Sequence, residues 1–115
     1  MLTGKTMTDI EEIRQALREF SEERDWDQFH DAKNLSLALS IEAGELLECF
    51  LWKEADDADI DKVKEELADV FNYAFMMADK YNLDVKDICM EKMRRNAEKY
   101  PVDKARGCAK KYNEL

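Results

Sequence analysis

The sequence predicts an all-α protein, a bundle of four helices formed by a single domain of residues 1–115. Three Gly and one Pro in the whole chain leave little material for turns, so a few long elements are expected rather than many short strands. Hydrophobic residues make up 45% of the chain and charged residues 39%, which is too apolar for a disordered protein. Apolar residues also recur at helical spacing in four separate segments.

The first helix is predicted to begin after Thr8, because Thr8 and Glu11 have the spacing of a capping box, and to end near Glu23. The connection RDWDQFHDAK mixes aromatic and acidic residues without a helical period, and we interpret it as an ordered loop. A second helix is predicted from about Asp31 to Lys53. The apolar stripe of the first helix consists of Ile10, Ile13, Leu17 and Phe20.

A third helix is predicted from about Asp59 to Tyr81. A shorter fourth helix follows from about Val85 to Glu98, with Asp84 as its N-cap, since an aspartate side chain can accept hydrogen bonds from the first free backbone amides of a helix. Pro101 should end this helix, because proline cannot donate the backbone hydrogen bond that a helix interior requires. The remaining residues, VDKARGCAKKYNEL, are predicted to form a tail.

The second helix is apolar on two sides, and a four-helix monomer of this size can hardly bury both. We therefore predict a homo-oligomer; the alternative is an ordinary central helix of a monomer. One face carries Leu35, Leu39, Leu46 and Phe50, and most of the opposite side carries Leu37, Ile41, Leu47 and Leu51.

Charge is distributed unevenly along the chain. The net charge of −9 combines −14 over residues 1–91, +6 over residues 92–111 and −1 from Glu114. An acidic body is unsuited to binding nucleic acid; it suits a small anionic ligand held through a divalent cation and basic side chains. The three cysteines are far apart and form no metal-binding motif, and no apolar run is long enough to span a membrane. We expect a soluble, cytoplasmic protein.

Two acidic pairs border the core-facing sides of the second and third helices. Glu42 and Glu45 form one pair, and Glu66 and Asp69 form the other, each with i, i+3 spacing. If the two helices pack together, four carboxylates converge and raise one another's pKa. A divalent cation with oxygen ligands, such as Mg²⁺, would relieve this repulsion. The alternative is that both pairs lie on solvated faces or form interface salt bridges.

The segment EAGELLE, followed after a linker by EELADV, resembles the ExxE and ExxD pattern of the MazG-type nucleotide pyrophosphohydrolases. Longer blocks resemble the deoxycytidine triphosphate pyrophosphatase branch of that family over nearly all of residues 10–115. These blocks are ERDWDQFHDAKNLSLALSIEAGELLECFLWK, KMRRNAEKYP and KARGCAKKYNEL.

This resemblance implies an all-α enzyme that hydrolyses a (deoxy)nucleoside triphosphate, dCTP-like in this branch, to the monophosphate and pyrophosphate. It implies that Glu42, Glu45, Glu66 and Asp69 bind Mg²⁺, with Mn²⁺ as a possible substitute. One of the catalytic acids, Glu42 or Glu45, would also orient the attacking water. The branch further favours a tetramer, assembled as a dimer of dimers.

The resemblance implies substrate roles for Trp26, His30 and Trp52, and helical spacing and side-chain chemistry add candidates on the second, third and fourth helices. Trp26 and Trp52 would stack on the base, although a core position is the ordinary interpretation of a tryptophan. Lys92 and Lys99 would face the triphosphate, although a solvated helix face is the alternative. The full predicted set is Trp26, His30, Asn34, Trp52, Tyr73, Lys92, Asn96 and Lys99. The competing hypothesis for the whole chain is a non-catalytic helical interaction module.

Overall fold

The computed structural model describes residues 6–115, and within this range it is built from helices, with no β-strand. The first five residues of the predicted 1–115 domain lie outside the described part. The α-helices are α1 (Asp9–Glu23), α2 (Ala32–Glu48), α3 (Ile60–Lys80), α4 (Val85–Lys99) and the one-turn α5 (Val102–Ala105). Short 3₁₀ helices span Asp27–Phe29, Ala55–Asp57 and Tyr112–Glu114. The all-α prediction is confirmed.

Side-chain caps fix the beginnings of the four long helices. Thr8 and Glu11 form the predicted capping box on α1, in which each side chain accepts a hydrogen bond from the other residue's backbone amide. Asp31, Asp59 and Asp84 cap α2, α3 and α4 in turn. These carboxylates satisfy amides that have no partner inside the helix, so short sequence signals located each start correctly.

The predicted end of α2 near Lys53 is wrong, because the helix ends at Glu48. The chain leaves it through tight turns, in which the amide of Phe50 donates to the carbonyl of Leu47 at 2.9 Å. Trp52 then adopts the left-handed conformation, with φ of 63°, which few residues other than glycine adopt. The apolar spacing continues through Phe50 and Leu51 although the backbone is no longer helical.

Two compact units divide the chain, one reaching to Leu83 and the other covering Asp84–Leu115. In the first unit, α3 packs against both α2 and α1, most extensively against α2. Asp79 ties α3 to α1 by accepting hydrogen bonds from Arg14 at 2.9 Å and from Nε of Arg18 at 2.8 Å. In the second unit, Arg94 forms ion pairs along α4 with Glu91 and Glu98.

The two faces of α2 differ in burial as their sequence pattern predicts. Leu35 is 1% exposed and belongs to the core together with Ala78 of α3. The other side of α2 is largely open to solvent in the single chain, with exposures of 52% for Leu37, 60% for Ile41 and 62% for Leu47, and Leu51 in the turns after the helix is 45% exposed. Among residues 6–115, no helix combines the length and the apolar character needed to cross a bilayer.

Candidate functional site

Three carboxylates from two helices converge inside the first unit. Glu42 and Glu45 lie one turn apart on α2, and Glu66 lies on α3. Each side chain offers an oxygen, and these oxygens all lie within 4.8 Å of one another. The pairing follows from the i, i+3 spacing on α2, which places both glutamates on one side of the helix, and from the packing of α2 against α3.

Two oxygens of this cluster are buried without a hydrogen-bond partner, namely Oε2 of Glu42 and Oε2 of Glu66. Burial, together with the neighbouring carboxyls of Glu45 and Glu66, raises the pKa of Glu42 to about 7. Burial also raises the pKa of Glu66. Because unpartnered buried carboxylate oxygens are costly, the cluster has the chemistry of a site that receives a cation.

Oxygen donors from carboxylates are the ligands that hard divalent cations prefer, so Glu42, Glu45 and Glu66 fit such an ion. The fourth predicted ligand, Asp69, is exposed and is not part of the group of three. Its charge nevertheless contributes to the raised pKa of both Glu42 and Glu66. Asp69 therefore stands beside the cluster, one turn further along α3 than Glu66.

A cavity of about 320 Å³ opens next to Asp69. It brings together four of the predicted site residues, Trp26, His30, Asp69 and Tyr73. Burial raises the pKa of the Tyr73 hydroxyl, and the carboxylates of Glu42 and Asp69 raise it further. The remaining lining residues are Leu17, Phe20, Ser21, Asn72 and Met76. An aromatic and partly apolar chamber therefore adjoins the acidic cluster.

The loop that carries Trp26 and His30 is held by local hydrogen bonds. Asp25 has φ of 52°, and its side chain and carbonyl accept hydrogen bonds from Gln28 at 2.9 and 3.0 Å. The amide of Trp26 donates to the carbonyl of Ser21 at 2.9 Å. Nδ1 of His30 is buried without a hydrogen-bond partner among the described residues.

Asn34 supports this loop from α2. Its side-chain amide donates to the carbonyl of Phe29 at 3.1 Å, and its backbone amide donates to the capping carboxylate of Asp31 at 2.7 Å. Asn34 does not line the cavity. The geometry thus shows it holding the end of the loop next to His30.

The other predicted substrate residues lie in the turns after α2 and in the second unit. Trp52 is 99% exposed and does not line the cavity. Lys92, Asn96 and Lys99 belong to α4 of the second unit, where Asn96 is half-buried and both lysines are exposed. The ammonium group of Lys99 lies 4.9 Å from the ring centroid of Tyr112.

Sequence reasoning missed part of the cavity wall. Phe20 was assigned to the apolar stripe of α1, and Asn72 and Met76 on α3 were not selected as site residues. Helical spacing alone cannot separate a side chain that fills a core from one that lines a cavity, since both lie on the inward face. One signal was available in the sequence. Asn72 and Tyr73 follow Asp69 by three and four residues, and Met76 comes one further turn along α3, so all four share the side of the helix that carries the acid.

The family model for the MazG-like family matches residues 37–115, which include both acidic pairs. The chain belongs to the MazG-like family. This family's dCTP pyrophosphatase 1 from Mus musculus is 40% identical over 114 residues, covering 92% of this chain and 67% of the relative. The Homo sapiens protein of the same name is 39% identical, with the same coverage. The predicted family is confirmed.

A solved structure supports the same fold for this MazG-like chain. The crystal structure of a pyrophosphatase from Archaeoglobus fulgidus superposes with a TM-score of 0.76 and 34% sequence identity, covering 87% of this chain and 99% of the other. These relatives also confirm the predicted enzyme class, a nucleotide pyrophosphohydrolase. They favour it over the competing hypothesis of a non-catalytic interaction module.

Proposed function

We propose that this MazG-like protein hydrolyses deoxynucleoside triphosphates, with dCTP-like substrates preferred, to the nucleoside monophosphate and pyrophosphate in a reaction that requires Mg²⁺. The observation that carries the proposal is the pair of buried, unpartnered oxygens of Glu42 and Glu66, in a cluster that adjoins an aromatic cavity. The preference for dCTP rests on the names of the curated relatives.

Glu42, Glu45 and Glu66 would hold the cation, with Asp69 as a further ligand next to them. When bound, Mg²⁺ supplies positive charge that neutralises the triphosphate and favours attack by water; Mn²⁺ is a possible substitute. Without the cation, the same carboxylates would repel the substrate's phosphates. The acidic cluster thus requires an ion before it can accept an anionic ligand.

The chemistry we propose is an in-line displacement at the α-phosphorus. The oxygen of a water molecule forms a bond to the α-phosphorus, and the bond from that phosphorus to the oxygen bridging to the β-phosphorus breaks. Pyrophosphate leaves with the electrons of that bond. One of the two carboxylates of α2, Glu42 or Glu45, orients the water and accepts its proton.

The cavity is the proposed site for the base and sugar. Trp26 offers an aromatic surface on which a base can stack, and His30, which also lines the cavity, offers a polar ring that can form hydrogen bonds. Tyr73 lines the cavity, and the charges of Glu42 and Asp69 help to raise the pKa of its hydroxyl. We therefore propose that Tyr73 contacts the sugar or the phosphates.

Five further residues are proposed as substrate contacts. Lys92, Asn96 and Lys99 lie at about one-turn spacing on α4, and we propose them as counter-charges and donors for the triphosphate. Trp52 remains a proposed contact for the base, and its complete exposure in the single chain leaves it free to reach a neighbouring copy. Asn34 is proposed to contribute to substrate binding indirectly, because it holds the loop that carries Trp26 and His30.

We also propose that the protein functions as a homo-oligomer, a tetramer formed as a dimer of dimers. The exposed leucine and isoleucine side chains of α2 support this assembly, because a contiguous apolar helix face on one chain is stabilised when a second copy covers it. Nucleic acid and membranes are not among the proposed partners, and the proposed location is the cytoplasm.

Release of pyrophosphate from a panel of ordinary and modified deoxynucleoside triphosphates tests the proposed activity. With Mg²⁺ present, dCTP should give pyrophosphate and dCMP in equal amounts, and EDTA should stop the reaction. Glu42→Gln and Asp69→Asn should each abolish release, whereas Glu48→Gln, a change at an exposed acid of the same helix, should not. If the folded wild-type protein releases no pyrophosphate from any member of the panel, the proposal fails.

A further inference from the structure

Phe20 forms an aromatic corner with Trp26 at the cavity. The ring centroids are 5.7 Å apart and the ring planes meet at 70°, an edge-to-face geometry that aromatic pairs favour. Both residues line the cavity beside Asp69. Phe20 is 46% exposed and Trp26 is 44% exposed, so neither ring is buried in the core and both retain surface for a ligand.

Arg24 packs against the Phe20 ring. The central carbon of its guanidinium group lies 3.7 Å from the ring centroid of Phe20, within the range of a cation–π interaction. The same guanidinium donates a hydrogen bond to the carbonyl of Phe20 at 3.0 Å. One face of the ring is therefore occupied, and its orientation is restrained although the side chain is half exposed.

Two aromatic planes that meet nearly at a right angle restrict how a flat molecule can enter. A base that stacks on one ring must present its edge to the other, so the distance from the corner to the opposite wall limits the width of the base. Trp26 alone would offer a stacking surface to any base, because every base has an aromatic face. A second, fixed ring adds discrimination by size.

We propose that Phe20 is a specificity-determining residue that contacts the edge or face of the base and excludes wider bases from the cavity. This inference rests on the proposed function, since it requires that the cavity receive a nucleobase. Arg24 acts through Phe20 as a positioning residue, because the geometry places its guanidinium on the ring rather than among the residues that line the cavity.

The test compares steady-state kinetics of the wild-type protein and Phe20→Ala with dCTP, dTTP and dATP in Mg²⁺. Loss of the contact should raise KM for dCTP by about tenfold, while kcat stays within about twofold because the carboxylates are untouched. The preference for dCTP over dATP, expressed as the ratio of kcat/KM, should fall by about fivefold as the corner opens.

Phe29→Ala is the matched control. Phe29 is the same residue type, is 60% exposed, lies on the loop between Trp26 and His30 and does not line the cavity. Its substitution keeps the backbone carbonyl that Asn34 binds, so KM and base preference should stay within about twofold of wild type. If circular dichroism shows that Phe20→Ala is unfolded, Phe20→Leu provides the same comparison with the apolar volume retained and the flat ring removed.

The proposal is overturned if a folded Phe20 variant keeps both the KM for dCTP and the preference over dATP of the wild type. It is also overturned if Phe29→Ala changes both quantities as much as Phe20→Ala does. Neither result affects the proposed function, which fails only if the wild-type protein hydrolyses none of the nucleotides. Activity of the wild type thus separates the two failures.

Discussion

Glu42 on α2 and Glu66 on α3 each bury an oxygen that has no hydrogen-bond partner, and carboxylate oxygens of the two residues lie within 4.8 Å of each other. In a metal-free chain, this relationship opposes folding whenever both groups are ionised, because like charges are brought together away from water. The site therefore lowers the stability of the protein that carries it until a cation binds.

Replacing Glu42 by Gln should stabilise the metal-free protein at pH 8 while abolishing its activity. The folded-state pKa of Glu42, about 7, lies above that of an unfolded glutamate. At pH 8 the ionised carboxylate therefore destabilises the folded state, whereas the neutral amide of glutamine does not. Thermal unfolding in EDTA should show a melting temperature a few degrees above wild type. Glu48→Gln, at an exposed position, should change it little; a lower melting temperature for Glu42→Gln would contradict the prediction.

The metal-free wild-type protein should become more stable as the pH falls from 8 to 6. Because the pKa of Glu42 is raised on folding, the folded state binds more protons than the unfolded state in this interval, and stability then decreases as pH rises. Melting curves in EDTA at several pH values measure the slope. The dependence of melting temperature on pH should be weaker in Glu42→Gln. An equal dependence in both proteins would show that other titratable groups cause it.

Mg²⁺ should raise the melting temperature of the wild-type protein, because an ion that binds only the folded state stabilises it by mass action. The increase should be larger at pH 8 than at pH 6, since carboxylate ligands must lose their protons before they bind a cation. Differential scanning fluorimetry over a range of Mg²⁺ concentrations measures both effects. Glu66→Gln should show a smaller increase, and an unchanged increase would remove Glu66 from the ligand set.

Asp79→Asn should destabilise the protein by about 2 kcal/mol, because Arg14 and Arg18 would lose charge-assisted hydrogen bonds. The two guanidinium groups, with Arg18 foremost, lower the pKa of Asp79. Its stabilising effect is thus fully present above the pKa of an unfolded aspartate, about 4, and is lost as pH falls through the lower folded-state value. Chemical denaturation at pH 7 and at pH 3 measures this loss.

Glu98→Gln is the control for Asp79→Asn, since Glu98 also accepts a hydrogen bond from an arginine, but at a highly exposed position on α4. An exposed ion pair of this kind contributes less than about 1 kcal/mol. The two acid-to-amide changes should therefore differ clearly in effect at pH 7. Equal losses would show that the connection between α1 and α3 contributes no more than a surface pair.

Leu47→Glu should dissociate the proposed oligomer, because it places a charge in the middle of the exposed apolar side of α2, where Leu47 is 62% exposed. Light scattering coupled to size-exclusion chromatography should show a smaller particle than wild type at the same protein concentration. Val102→Glu, at a residue that is 76% exposed, is the control and should leave the mass unchanged. A monomeric wild-type protein would contradict the proposed assembly.

Local signals in the sequence predicted most of the helix boundaries. A capping carboxylate or hydroxyl, such as Asp84 or Thr8, acts within a few residues of the amide it satisfies, so its effect can be inferred without knowledge of the fold. The end of α2 was predicted wrongly because Phe50 and Leu51 continue the apolar period beyond the last helical residue, Glu48. Periodicity reports which side chains face inward, not whether the backbone is still helical.

The site was predictable to the extent that it depends on spacing along a single helix. Glu42 and Glu45 had to share a side of α2, and the same spacing placed Glu66 and Asp69 on one side of α3. Sequence spacing could not show that Asp69 lies beside the group of three rather than within it, because that depends on how α2 and α3 are rotated against each other. Phe20 was missed for a similar reason, since its contact with Trp26 is made by a loop that turns back at Asp25.

The complete exposure of Trp52 has a practical consequence for experiments in solution. The chain has two tryptophans: Trp26 lies at the proposed base cavity, and Trp52 is surrounded by solvent in the single chain. A nucleobase that stacks on Trp26 should quench its fluorescence, whereas a neighbouring copy that covers Trp52 should shift the emission of that residue to shorter wavelength. Intrinsic fluorescence can thus report ligand binding and assembly as two separate signals from the unlabelled protein.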